Sequence, residues 1–139
     1  MEKSVLSDEE INKRLKSCGL RPTIQRAAVY RYLLENRTHP SVDEIYTNLS
    51  GDYAAFSKTT VYNCVQSLCE KGLVMPVTIG CSEVRYDGNP SPHAHFRCEQ
   101  CNSITDIDVP NRGFDIQPPS GSVCKRVDIY LTGKCEKCS

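Results

Sequence analysis

Residues His93-Ala94-His95-Phe96-Arg97-Cys98-Glu99-Gln100-Cys101 read H-x-H-x-x-C-x-x-C, and a second C-x-x-C follows at Cys135 and Cys138. These two cysteine pairs constrain the chain more than any other feature. Each presents soft thiolate donors at zinc-knuckle spacing, and together they supply the ligands of a closed tetrahedral zinc site. A closed site keeps no position open for substrate, so it is structural. It would pin the C-terminal stretch to the strand carrying Cys98, in a segment too short for a large apolar core. The plainer alternative is two unrelated C-x-x-C motifs, one of them redox-active. A thioredoxin-type motif needs a βαβ setting, and none is legible here.

Nine cysteines in 139 residues is a high count and an odd one. Met1-Glu2-Lys3-Ser4 leads into polar sequence without the apolar core of a signal peptide. No apolar run approaches transmembrane length. A cytoplasmic protein with reduced thiols and no membrane partner is therefore expected, and clustered cysteines there bind metal rather than form disulfides. Cys18, Cys64, Cys69, Cys81 and Cys124 lie outside the two pairs and are assigned no function. The 17 basic and 17 acidic residues cancel, so net charge says nothing about partners. Local charge says more: Lys13, Arg14, Lys16, Arg21, Arg26, Arg31 and Arg37 are opposed within their stretch by Glu35 alone. That run is either a solvated helix face or a surface for nucleic acid.

The pattern along the chain is α+β. Ser7-Asp8-Glu9-Glu10 is a capping box and predicts a helix to about Cys18, ended by Gly19. Pro22 or Thr23 opens a second helix to about Asn36, with Ile24, Ala27, Ala28, Leu33 and Leu34 as its apolar side. Ser41-Val42-Asp43-Glu44 caps a short third helix to about Ser50. Ser57 caps a fourth, ending near Lys71, with Val61, Cys64, Val65, Leu68 and Cys69 on one buried stripe. Its opposite face carries Thr59, Tyr62, Asn63, Gln66 and Glu70. Strand-like stretches at Leu73–Ile79 and Glu83–Tyr86 flank a turn at Gly80-Cys81-Ser82. Helices followed by a hairpin make the winged helix-turn-helix pattern. It predicts a DNA-binding domain over residues 1–87, a Pro/Gly hinge over 88–92 and a second domain over 93–139. In the latter, strands are expected at Ala94–Arg97, Ile104–Val109 and Val123–Leu131.

The chain has three histidines, His39, His93 and His95. His93 and His95 stand two apart, so on a strand both rings share a face. Asp87 lies just before the hinge, and Asp106 at the far end of the hairpin that starts with Cys98. Three imidazoles and two carboxylates, with no thiolate, suit a divalent first-row metal such as Fe2+ or Mn2+. Spacing pairs His93 with His95; it does not pair His39, Asp87 or Asp106 with them, and a lone histidine is more often a satisfied core or surface residue.

Taken together, Arg21-Pro22-Thr23-Ile24-Gln25-Arg26, the stretch Ser57-Lys58-Thr59-Thr60-Val61-Tyr62-Asn63, Asp87, the His93–Cys101 block and the Cys135/Cys138 pair resemble the ferric uptake regulator (Fur) family. The order is the family's, and the match spans nearly the whole chain. The His/Asp set resembles the peroxide-sensing, PerR-type branch; iron and zinc sensors commonly carry Glu or other ligands at these places. The resemblance implies a winged-helix DNA-binding domain and an α/β dimerisation domain. It implies structural zinc on Cys98, Cys101, Cys135 and Cys138, and a regulatory Fe2+ or Mn2+ on His39, Asp87, His93, His95 and Asp106. It also implies that His39 or His93 is the residue peroxide oxidises. The chain departs from the family over Asn111–Gly121, where prolines stand in place of an amphipathic helix.

The expected protein is a homodimeric, metal-dependent repressor on double-stranded DNA, with a palindromic AT-rich operator implied by the resemblance. Thr59, Tyr62, Asn63 and Gln66 would face base edges, Tyr62 suiting a thymine methyl and Asn63 or Gln66 an adenine. Lys13, Arg14 and Arg21 are candidates for phosphate or minor-groove contact. An iron- or manganese-responsive repressor of the same fold is the near alternative. A C-x-x-C thiol oxidoreductase or a metal hydrolase is the distant one, and neither finds a placed base or a substrate pocket in this sequence.

Overall fold

The computed structural model describes residues 6–53, 56–78, 83–89, 93–109, 116–124 and 127–139. The chain divides into two compact units, Met1–Pro90 and Ser91–Ser139.

The first unit begins with four helices, α1 (Asp8–Ser17), α2 (Ile24–Glu35), α3 (Val42–Leu49) and α4 (Lys58–Glu70). Each starts where a hydroxyl side chain stops the backbone amides from going unpaired. Ser7, Thr23, Ser41 and Ser57 accept from the amides of Glu10, Arg26, Glu44 and Thr60 respectively. The helices pack on one core that includes Ile11, Leu15, Val29, Leu33, Ile45, Val61, Val65 and Leu68. Burial of each such side chain is worth about 1.5–3 kcal/mol. Ile24 departs from the expected apolar side of α2. It is 73% exposed, because it is the first helical residue and precedes the turn that meets the core.

A two-stranded wing follows, β1 (Met75–Val77) paired antiparallel with β2 (Arg85–Asp87). The expected turn at Gly80-Cys81-Ser82 lies outside the described residues. The end of the wing is fastened to the α2–α3 corner. The Tyr86 amide donates to the Pro40 carbonyl at 3.0 Å, and Ser41 forms an isolated antiparallel bridge with Arg85. Together α3, α4 and the wing form the winged helix-turn-helix.

The second unit is a three-stranded sheet in the order β4-β3-β5. Strand β3 (His93–Cys98) pairs antiparallel with β4 (Ile104–Asp108) through a tight knuckle, and parallel with β5 (Tyr130–Gly133). A parallel partner needs a crossover, so the intervening segment must carry the chain back. Of the described residues of the expected strand Val123–Leu131, only Tyr130 and Leu131 are in a strand, which continues to Gly133; Val123 and Val127 are apolar yet exposed. Pro90–Pro92 and residues 111–115 of the proline-broken stretch lie outside the described residues.

Candidate metal centres and nucleic-acid interface

The register of the second unit brings the cysteine pairs together. Parallel pairing sets Cys98 beside Gly133, and the Glu99 amide donates to the Gly133 carbonyl at 2.8 Å. Cys135 then arrives two residues later. The four sulfur atoms of Cys98, Cys101, Cys135 and Cys138 all lie within 4.8 Å of one another, with Cys101 and Cys135 at 3.8 Å. Four sulfurs each about 2.3 Å from a zinc ion stand roughly 3.8 Å apart, so the cluster has the size the ion requires.

Electrostatics point the same way. The Cys98 thiol is lowered to about 6, first by the amide of Cys101 and then by that of Cys135; the Cys101 amide lies 3.5 Å from its sulfur. Cys138 is pushed up to about 12, first by the neighbouring Cys135 sulfur and then by Cys98. One corner of the cluster favours thiolate while another is driven to stay protonated by its neighbours. A divalent cation removes that conflict, because it stabilises all the thiolates at once.

The histidines and aspartates form a half-site in each unit. In the first, His39 Nε2 lies 3.3 Å from Asp87 Oδ2, and both residues are buried. The second oxygen of Asp87 accepts from the Asn89 amide at 2.9 Å. His39 has φ of 58° and stands directly before Pro40. Left-handed backbone in a non-glycine residue costs about 1–3 kcal/mol and persists only where the surroundings over-determine it; a following proline restricts the residue further. Here the surroundings are the Pro40 carbonyl held by Tyr86 and the Ser41 cap on α3.

In the second unit, His93 and His95 project from the same face of β3, with ring centroids 4.5 Å apart. Asp106 faces His95 across the antiparallel pair. Its Oδ1 lies 3.4 Å from His93 Nε2 and 3.3 Å from His95 Nε2. Two imidazole nitrogens and a carboxylate oxygen thus converge, the donor types that hold Fe2+, Mn2+ or Zn2+.

The outer face of α4 carries Thr59, Tyr62, Asn63 and Gln66, all exposed and spaced as one stripe. Tyr62 keeps 48% of its surface in solvent. Lys58 is drawn aside to Asp43 at 3.2 Å and lies over the Tyr46 ring. Lys13 and Arg14 on α1 and Arg21 after it are exposed. The basic run is not one surface, however. Arg31 binds Asp8, Glu35 and the Leu6 carbonyl, tying α1 to α2. Arg26 donates to the Arg21 carbonyl at 2.6 Å and to Ser67 on α4 at 3.2 Å. It holds the loop bearing Arg21 against the recognition helix, a role the run of charges did not reveal because its partners are a backbone carbonyl and a distant hydroxyl.

Residues 17–117 match the model of the ferric uptake regulator family. The chain belongs to the ferric uptake regulator family. Members of this family are dimeric, metal-dependent DNA-binding transcriptional regulators, not enzymes, and use structural zinc with regulatory iron or manganese. The chain is 42% identical to the peroxide-responsive repressor PerR of Staphylococcus aureus (strain Mu50 / ATCC 700699), over 94% of this chain and 90% of that protein. PerR from Streptococcus pyogenes is 28% identical, with a TM-score of 0.54 over 95% of this chain and 92% of that one. The fold is shared with Helicobacter pylori Fur, at a TM-score of 0.76 over 99% of this chain and 97% of that one with 23% identity. No helix among the described residues is long and apolar enough to cross a membrane.

Proposed function

We propose that this Fur-family regulator is a cytoplasmic, homodimeric repressor that senses peroxide, with a palindromic AT-rich operator. The donor set carries the reading: His39 with Asp87, and His93 and His95 with Asp106, imidazole and carboxylate throughout. Such a set suits Fe2+ or Mn2+, whereas the thiolates of Cys98, Cys101, Cys135 and Cys138 suit zinc. The likeness to S. aureus PerR supports peroxide as the signal.

In this reading the five side chains serve one regulatory ion. Thr59, Tyr62, Asn63 and Gln66 read bases while Lys13, Arg14 and Arg21 hold backbone phosphate or the minor groove. His39, Asp87, His93, His95 and Asp106 would hold the ferrous ion, which would catalyse cleavage of the peroxide O–O bond beside the imidazoles with no net change in its own oxidation state. One ring carbon of His39 or His93 gains an oxygen atom from peroxide, and a water molecule leaves. The altered ring is a poorer donor, the ligand set loses a member, and the dimer's two recognition helices lose the spacing of the operator. Manganese on the same ligands supports DNA binding without this oxidation.

Mass spectrometry of the iron-loaded protein after peroxide tests the mechanism. The expected result is a gain of one oxygen atom on the His39 or His93 peptide, together with loss of operator binding. Oxidation confined to cysteines, with both histidine peptides unchanged, makes the thiolates the sensor instead.

A further inference from the structure

We infer that Gly88 is a positioning residue for the regulatory metal site, because its missing side chain lets the wing close on α2 and set Asp87 against His39. The inference rests on the proposed role of that pair as metal ligands. It concerns a residue that touches neither metal nor DNA.

Gly88 is buried and follows Asp87 directly. A Cβ at this position would stand 2.7 Å from the Leu33 carbonyl oxygen, 3.0 Å from its carbon and 3.3 Å from the Leu34 nitrogen. All three are main-chain atoms at the end of α2, not the far end of a flexible side chain. No side chain can swing aside to make room. Restoring ordinary contact requires β2 to move off α2 by roughly 0.7 Å. Metal ligands must sit within about 0.2 Å of their proper distances, so a shift of that size is well outside what the site tolerates.

The corner next to Gly88 cannot absorb the shift either. Tyr86 donates its amide to Pro40, Ser41 bridges Arg85, and His39 is held at φ 58° before Pro40. These contacts over-determine the unfavourable backbone of His39 only while the wing lies close. Moving β2 outward lengthens the Tyr86–Pro40 hydrogen bond, lets His39 relax towards an ordinary φ, and withdraws its imidazole from Asp87. The glycine therefore governs both members of the pair, one through the strand and one through the corner.

The test uses the full-length, zinc-loaded protein and Mn2+ alone as probe, so that no oxidation intervenes. Calorimetric titration measures Mn2+ affinity, and hydrogen exchange measures protection of the Tyr86 amide. Gly88→Ala is expected to weaken Mn2+ binding about 10–100-fold, the range for losing a group that orients a ligand. It should also deprotect the Tyr86 amide while zinc stays bound. Gly72→Ala is the control. Gly72 has φ of 75° and precedes the wing, yet a Cβ there meets nothing within 4 Å. That variant strains the same unit without displacing Asp87 and should keep the wild-type affinity.

Unchanged Mn2+ affinity in Gly88→Ala overturns the inference, as does equal weakening in both variants. A wild-type chain that binds no Mn2+ overturns the site reading itself and the inference with it. Should Gly88→Ala fail to fold, the wild type alone decides. Mn2+ should then slow exchange of the Tyr86 amide, and an amide indifferent to Mn2+ overturns the coupling of wing and site.

Discussion

The two units are held together by different physics. The extended core lies in the first, running from Ile11 to Tyr86. Among the described residues of the second, Ala94 and Cys98 are the buried apolar side chains, while Ile116, Val123, Val127 and Leu131 are exposed. A helical unit with four capped helices can bury its stripes against one another. A three-stranded sheet of four to six residues per strand cannot, and it depends on what crosslinks its ends. The cysteine cluster joins the β3–β4 knuckle to the turn after β5, which is where the small unit lacks apolar support. The exposed apolar residues of that unit accord with a family whose members function as dimers.

The largest expected effect therefore comes from the metal. Structural zinc contributes on the order of 10 kcal/mol to folding in small domains. Chelating zinc, or Cys98→Ser, is expected to release about one zinc per chain and unfold the second unit while leaving the helical one intact. Limited proteolysis should then digest residues beyond the hinge and spare the core of α1–α4. A Cys98→Ser protein that keeps its zinc and a protease-resistant second unit would end the contrast drawn above.

The reciprocal change lies in α4. Leu68 is fully buried on the inner face. Leu68→Ala should cost about 2–5 kcal/mol through lost transfer energy and the cavity left behind. Denaturant unfolding monitored by the helical signal checks this, and zinc content should not change. Equal loss of zinc would mean that the units do not hold themselves separately.

The smallest effects belong to the outer surface, where neither unit's stability is at stake. Tyr62→Ala is expected to weaken operator binding by about 1–3 kcal/mol with melting temperature and zinc content as in wild type. Lys13→Ala should weaken all DNA sequences alike and reduce the salt slope by about one. Binding measured across a salt series on operator and random DNA separates the two. Loss of operator preference in Lys13→Ala, with none in Tyr62→Ala, would reverse their roles.

Much of this was legible along the chain because the signals are local. A hydroxyl residue just ahead of a helical apolar pattern marks a helix start, so Ser7, Ser41 and Ser57 announced three of the helices, while the second was expected to open at Pro22 or Thr23. The apolar stripe of α4 left Thr59, Tyr62, Asn63 and Gln66 outside by periodicity alone. Two residues apart on a strand, His93 and His95 had to share a face. The C-x-x-C pairs declared their chemistry through spacing and softness. What these features have in common is that a few neighbouring residues determine them.

Other properties needed the folded chain. The meeting of Cys135 with Cys98 was expected from spacing, but the route to it, parallel pairing of β3 with β5, is one that no local pattern dictates. Asp106 reaches both histidines through the register of β3 and β4. Arg26 and Arg31 belong to a basic run that could be a solvated face or a nucleic-acid surface, yet their partners, Ser67 and Asp8 among them, lie far away in sequence and tie both guanidiniums to neighbouring segments. Ile24 follows the apolar pattern of α2 and still faces solvent. Gly88 reads in sequence as the first residue of a hinge, and only the approach of the Leu33 carbonyl gives its missing Cβ a meaning. The sequence by itself determined which donors and which faces this regulator has, since chemistry and periodicity reside in the residues. Which donors meet was left to tertiary structure, because such meetings follow from strand register and close backbone contact between segments distant in the chain.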